Sequence, residues 1–261
     1  MQRTITTVAS TLLSLCGVPA PERFDSPDEE LLALKAEKGI TADIDRAVIY
    51  NPDAVGLWLY KKYPELFKPA VNASDVCVPR TSVMPSVTPV CFASMYSGVM
   101  PSEHGIQKYE KPVLKVETVF DMFIKAGKKC AILSTAGDSI SKIFLERDMD
   151  YFIYPALSQV NKKALKLIKE DRYDLIVIYN GNYDSVMHAK GPEAKKSLRA
   201  LRHNVAFYEK LVSAINKSMS GHNVFYGFCP DHGCHLIDGD RGSHGLDMPE
   251  DMNVIHFYGI I

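Results

Sequence analysis

The chain of 261 residues lacks any apolar run near the ~20 residues that a membrane-spanning helix requires. It also lacks a surplus of basic charge. A formal net charge of −1 leaves nothing to offset a phosphate backbone, which argues against a nucleic-acid polymer as partner. There is no internal repeat, low-complexity tract or long charge block. Cysteine is sparse and shows no framework spacing: Cys16, Cys77, Cys91, Cys130, Cys229 and Cys234 read as reduced thiols of a cytoplasmic protein. Cys229 and Cys234 are too far apart for a zinc knuckle, so a structural role is expected for both. A secretory leader is not expected either. Threonines and serines dilute the stretch from Thr4 to Cys16, and no small-x-small cleavage site ends it. A short buried helix closed by Gly17 and Pro19 is the preferred reading there.

What is present is ordinary globular composition. At 46% apolar and 23% charged residues, the chain can bury one sizeable core. A single domain over 1–261 is expected, with residues 1–45 as a helical segment packing on it. Four continuous apolar runs suit strands buried on both faces: Ala47–Asn51, Lys129–Thr135, Asp174–Asn180 and Asn223–Cys229. Amphipathic segments lie between them. Ser26-Pro27-Asp28-Glu29 reads as a helix start with Ser26 as its cap. Glu117–Ala126, Val160–Glu170 and a long segment from Pro192 to Met219 follow the helical period. Strand–helix alternation of this kind predicts an α/β fold, a three-layer α/β/α sandwich around a mainly parallel sheet.

In such sheets ligands bind at the carboxyl ends of the strands, so the residues after each strand carry the chemistry. Asp53 follows the first strand, Asp184 and His188 follow the third, and Asp231 and His232 follow the fourth. His244 comes shortly after. Aspartate oxygen and imidazole nitrogen are the donors of hydrolytic zinc or manganese sites. The four-residue spacing of Asp184 and His188 puts both on one face of a helix. Adjacent Asp231 and His232 would point apart in an extended or tight-turn backbone and could then serve two neighbouring ions. Thr88-Pro89 reads as a helix N-cap followed by proline at the first position. A hydroxyl placed there meets the helix dipole and, beside metal ions, becomes a candidate nucleophile.

These pieces, in this order, resemble the alkaline phosphatase superfamily, and within it the nucleotide pyrophosphatase/phosphodiesterase and phosphonoacetate hydrolase branches. The likeness rests on Asp53 after the first strand and on the segment from Thr88 through Ser94, Ser97, Gly98 and Pro101 to His104-Gly105-Ile106. It continues through Asp184-x3-His188 with Gly191-Pro192, Asp231-His232-Gly233 and His244-Gly245. The resemblance spans roughly residues 45 to 261. It implies two divalent ions, zinc or else manganese: one held by Asp184, His188 and His244, the other by Asp53, Asp231 and His232. It implies in-line attack by Thr88 on a small phosphate ester, diester or monoester, through a phosphothreonine intermediate. His104 corresponds to a structural histidine of the His-Gly-Ile turn. Thr7–Pro21 resembles a helix that relatives carry near their C-terminus.

Three departures accompany the likeness. Cys91 stands where the diesterase branch has an asparagine that holds a phosphate oxygen. Asp53 follows Pro52 instead of ending its strand directly. The chain has little room for substrate-selecting insertions, so accessory contacts are expected from Asn182, Tyr183 or His235, or from a partner subunit of a homo-oligomer. Phosphonate hydrolysis, a phosphomutase and a non-catalytic metal- or nucleotide-binding relative are the alternatives on the same scaffold. A sulfatase reading hangs only on Cys77-Val-Pro79-Arg80, which lacks the residue its signature needs between proline and arginine.

Overall fold

The computed structural model describes residues 3–261; the first two residues of the expected 1–45 segment lie outside that range. In chain order the strands are β1 (Arg46–Pro52), β2 (Val76–Thr81), β3 (Cys130–Thr135), β4 (Asp150–Tyr154), β5 (Leu175–Asn180), β6 (Val224–Phe228), β7 (His235–Ile237), β8 (Arg241–Ser243) and β9 (Asn253–Ile260). Seven of them form one sheet in the order β2-β9-β6-β1-β5-β3-β4, and β7 and β8 pair as a small hairpin. The run from β6 to β4 is parallel, whereas β9 is antiparallel to both of its neighbours. Mainly parallel is therefore the observed arrangement.

Alternation along each strand divides the core into two faces. On one side Ala47, Ile49, Ile132, Val177 and Phe225 meet the helices Thr7–Leu15, Thr88–Ser97 and Val119–Lys125 through Leu12, Phe92 and Phe123. On the other, Val48, Tyr50, Leu133, Ile178 and Tyr226 meet the helices Leu157–Glu170 and Lys195–Ser218 through Leu167, Leu201 and Leu211. Helices thus cover both faces, giving the three layers and removing the central strands from water.

The N-terminal helix is buried through Leu12, Leu13 and Leu15, and Gly17 leaves it at φ 65°, as expected of its stop signal. Ser26 does not cap the next helix. Asp28 does: one oxygen accepts from Glu30 N–H at 3.1 Å, and the other pairs with Arg80 at 2.8 Å. The long helix begins at Lys195 rather than Pro192. Strands β2 and β9 answer to none of the four apolar runs. Pro79 and Arg80 interrupt β2, which the sheet tolerates because β2 is an edge strand. Arg80 is buried against Asp28 and Thr7, so the Cys77-Val-Pro79-Arg80 stretch fastens the N-terminal segment to the sheet edge and takes no part in any site.

Adjacent parallel strands β6, β1 and β5 end at one edge. Each hands over an aspartate there: Asp231, Asp53 and Asp184. The β7–β8 hairpin folds back over the helix Asn182–Lys190. A Cβ on Gly242 would meet the Met187 sulfur at 2.1 Å, so only glycine allows this approach.

Candidate metal centre and nucleophile

Two groups of three donors form at this edge, and in each the candidate ligand atoms lie within 4.8 Å of one another: Asp184, His188 and His244; and Asp53, Asp231 and His232. In the first, Asp184 Oδ1 is 3.2 Å from His188 Nε2 and 3.4 Å from His244 Nε2, and the two imidazole nitrogens are 3.0 Å apart. The helix Asn182–Lys190 sets Asp184 and His188 one turn apart on one face. In the second, His232 Nε2 is 3.4 Å from Asp53 Oδ1 and 3.4 Å from Asp231 Oδ2. Asp231 and His232 do not point apart as extended neighbours would. The chain leaves β6 at Phe228 and has no strand geometry from 229 to 234, so both side chains turn to one point. The triads touch where the His232 and His244 rings stack, centroids 4.0 Å apart.

Asp53 is held more firmly than its preceding proline suggested. Strand β1 runs through Pro52, which lies in register with Asn180, and the Asp53 N–H donates to Asn180 O at 3.0 Å. Thr88 is not a cap. Val87 has the extended cap conformation, and Thr88 opens the helix as its first residue. Its hydroxyl therefore turns outward, 3.3 Å from His232 Nε2 and 3.4 Å from Asp53 Oδ2. Val87 O accepts the N–H groups of both Val90 and Cys91, and Pro89 has none. Among the described residues, Thr88 N–H is left as the first turn's free donor.

The donor chemistry fits metal. All three imidazoles engage a main-chain carbonyl through Nδ1: His188 with Gly242 O at 3.0 Å, His232 with Gly233 O at 2.9 Å, His244 with Ser86 O at 3.1 Å. That fixes the Nδ1–H tautomer and leaves each Nε2 lone pair aimed into its triad. The buried oxygens Asp53 Oδ1 and both of Asp231 accept no hydrogen bond, a costly state for carboxylates away from water, whereas Asp184 Oδ1 faces the His188 and His244 imidazoles. Ligands about 2.0–2.1 Å from a tetrahedral zinc ion lie about 3.3 Å from each other. The observed spacings of 3.0–3.4 Å match that edge.

Electrostatics separates the two groups. Burial pushes the Asp53 carboxyl up to about 7, with Asp184 adding to the effect, and burial together with Asp53 raises Asp231 as well. For Asp184 burial also acts upward, but His188 and His244 outweigh it and hold the carboxyl below its usual range. Asp184 in turn lifts His188 to about 9, whereas burial and the neighbouring His244 depress His232.

A cavity of about 300 Å³ opens over Thr88, Asp53 and Asp184, walled by Tyr109, Lys111, Asp138 and Asn182. Cys91 is absent from this wall. Its thiol is buried against Ser82 Oγ at 3.1 Å, and burial keeps it protonated. Tyr183 is fully buried with its hydroxyl on Pro192 O, and His235 pairs with Asp251. Of the three expected accessory residues only Asn182 reaches the cavity. His104 accepts from Ile106 N–H through Nδ1 and shares a hydrogen bond with Ser94 Oγ, away from both triads. Sequence reasoning did not reach Tyr179, whose hydroxyl donates to Asp53 Oδ2, or Asp138. Asp138 stands three residues past the end of β3, a strand end where inspection would have found it.

No family model matches the chain, and no curated protein matches it by sequence. Solved structures do match in fold. Murine ectonucleotide pyrophosphatase/phosphodiesterase 5 aligns at TM-score 0.59 and 14% identity, over 74% of this chain and 58% of that one. Phosphonoacetate hydrolase from Sinorhizobium meliloti 1021, in complex with phosphonoformate, aligns at TM-score 0.55 and 16% identity, over 72% of this chain and 56% of that one. An inactive variant of the murine protein in complex with AMP gives TM-score 0.59 at 15% identity, over 76% of this chain and 59% of that one. The chain thus spans less than two thirds of the structures it matches. At these identities the likeness is one of architecture: the chain has the alkaline phosphatase-like α/β fold of a phosphodiesterase and a phosphonate hydrolase.

Proposed function

We propose that the protein is a two-metal hydrolase of small phosphate esters with Thr88 as its nucleophile. The observation that carries this reading is the placement of the Thr88 hydroxyl against a triad in which three buried carboxylate oxygens, Asp53 Oδ1 and both of Asp231, accept no hydrogen bond. Asp184, His188 and His244 would hold one divalent cation and Asp53, Asp231 and His232 the other, with zinc the best match to the mixed nitrogen and oxygen donors and manganese the alternative. Such cations would lower the pKa of a bound hydroxyl and offset charge on the equatorial phosphoryl oxygens.

The chain's own residues supply the rest. Thr88 Oγ1 attacks phosphorus in line with the ester oxygen, its proton passing to solvent through the cavity. The Thr88 N–H, at a helix N-terminus, donates to a phosphoryl oxygen. The ester oxygen leaves on the cavity side, takes a proton from water, and is replaced by the bond to Thr88. Water then cleaves the Thr88 phosphoester, returning the free hydroxyl and releasing inorganic phosphate from a monoester or a phosphate monoester from a diester. Asn182 and Lys111 line the path of the leaving group.

A phosphonate is the second reading. Lys111 sets a cation in the cavity wall, where a substrate bearing another anionic group would meet it. Thiols that are all unpaired, most of them buried, suit a reducing compartment such as the cytoplasm. The test is a panel of aryl phosphate monoester, diester and phosphonate on zinc-loaded protein, with Thr88→Ala beside it. The variant is expected to keep its zinc and lose turnover by roughly 10³-fold or more. The wild-type protein, acid-quenched during turnover, should carry one added phosphoryl group on Thr88. Full activity of Thr88→Ala would refute the nucleophile.

A further inference from the structure

Asp251 belongs to neither triad, yet it is bonded to the neighbours of both. It sits in the short helix Pro249–Met252 and is fully buried. Its Oδ1 accepts from His235 Nδ1 at 2.8 Å and its Oδ2 from the Leu246 N–H at 2.9 Å. Its main-chain oxygen accepts from the Gly233 N–H at 2.7 Å. Gly233 directly follows His232, and Leu246 lies two residues past His244. His235 stands on β7 opposite Ser243, the residue before His244. The fit is close: a Cβ on Gly233 would come within 1.9 Å of Glu250 O.

One buried residue, through its main-chain oxygen at Gly233 and its carboxylate at His235 and Leu246, therefore fastens the segment carrying His232 to the segment carrying His244, whose rings stack where the triads meet. Asparagine cannot replace it fully. Asp251 accepts at both oxygens, and an amide would turn an N–H toward one of the two donors.

We propose that Asp251 and His235 are a positioning pair that sets His232 against His244, and so holds the two triads in the spacing that two neighbouring divalent cations need. This rests on the two-metal reading above. Groups outside the ligand set orient the ligands without touching the ion, and losing such support weakens metal binding.

The experiment uses the full chain, stripped with chelator and titrated with zinc against a chromophoric competitor. The proteins compared are wild type, Asp251→Asn, His235→Ala and His235→Asn. Zinc affinity in His235→Ala and Asp251→Asn is expected to fall by about 10–100-fold. His235→Asn should recover most of the loss, because its amide N–H reaches the place of Nδ1. Because Asp251→Asn can fail to fold, the His235 variants carry the decision, with circular dichroism of the metal-free forms confirming structure. A folded His235→Ala that binds zinc like wild type overturns the positioning role, even if its thermal stability has dropped. So does a His235→Asn no better than His235→Ala. Wild-type protein that binds no zinc overturns the two-metal reading itself, and this inference with it.

Discussion

The two triads are built from the same donor types, yet they live in different media. Asp53, Asp231 and His232 have side chains at most 1% exposed, whereas His188 is 42% exposed and Asp184 17%. In the open triad each charge has a partner: Asp184 faces two imidazoles, and its carboxyl stays ionised. In the closed triad two carboxylates face one another with a single imidazole whose protonation burial opposes. Without a cation the closed triad is a liability to the fold; the open one is close to self-sufficient. Burial, more than ligand identity, should set how each group behaves when metal is withdrawn.

The sharpest way to break this contrast is Asp231→Asn. On the proposed reading it would remove a ligand of an ion beside Thr88 in zinc-loaded protein, and turnover is expected to fall by roughly 10³-fold or more. In metal-free protein at pH 8 the same change removes a buried carboxylate without partners, and stability should rise by about 1–3 kcal/mol. Denaturant titration of both forms reads the opposite signs. If the metal-free protein is destabilised instead, the closed triad is not under the strain described.

A smaller effect is expected from His188→Ala. The open triad keeps Asp184 and His244, and water can fill the vacated position. Zinc should weaken at one site only, by more than the roughly 10–100-fold that loss of an outer-shell partner costs. A competition titration that shows both sites weakened equally would remove the distinction between them.

The pH profile of the metal-free protein reads the same contrast without a metal. The Asp53 carboxyl is raised to about 7 from an unfolded value near 3.9, so the native state binds the extra proton between them. Stability from this group is lost as pH rises from about 4 through 7. His188, raised to about 9, contributes stability that is complete below its unfolded value near 6.5 and lost as pH rises through 9. Asp184 runs the other way, its contribution being lost on acidification. Asp53→Asn should flatten the lower limb and His188→Gln the upper, as read from unfolding midpoints across pH. An unchanged lower limb in Asp53→Asn would contradict the assignment.

Much of this architecture is legible in the sequence because long apolar runs mark strands buried on both faces. Ile176 to Tyr179 can be little else, and the residues that follow such a run are placed at the sheet edge by topology alone. That reasoning reaches the aspartates after β1, β5 and β6, and a short step leads to the histidines. It fails where side-chain direction depends on local backbone. Asp231 and His232 stand past the strand end that the sequence marks, but the convergence of two adjacent side chains is set by the irregular backbone there, which apolar periodicity does not describe. Thr88 is displaced by one position, because Val87 takes the cap conformation. Cys91 marks a substitution in sequence, but its thiol is packed behind the helix, so the weakness of sulfur as a donor has no bearing on the cavity. Strand β2 stays hidden because an edge position tolerates the proline and the buried arginine that disguise it.

The central claim is that these six side chains form two cation sites beside Thr88. Calorimetric titration of chelator-stripped protein with zinc tests it most directly. Two ions per chain are expected, one lost in Asp231→Asn and the other in Asp184→Asn, with Thr88→Ala retaining both. Protein that binds neither zinc nor manganese, or whose binding is indifferent to both aspartate substitutions, would contradict it.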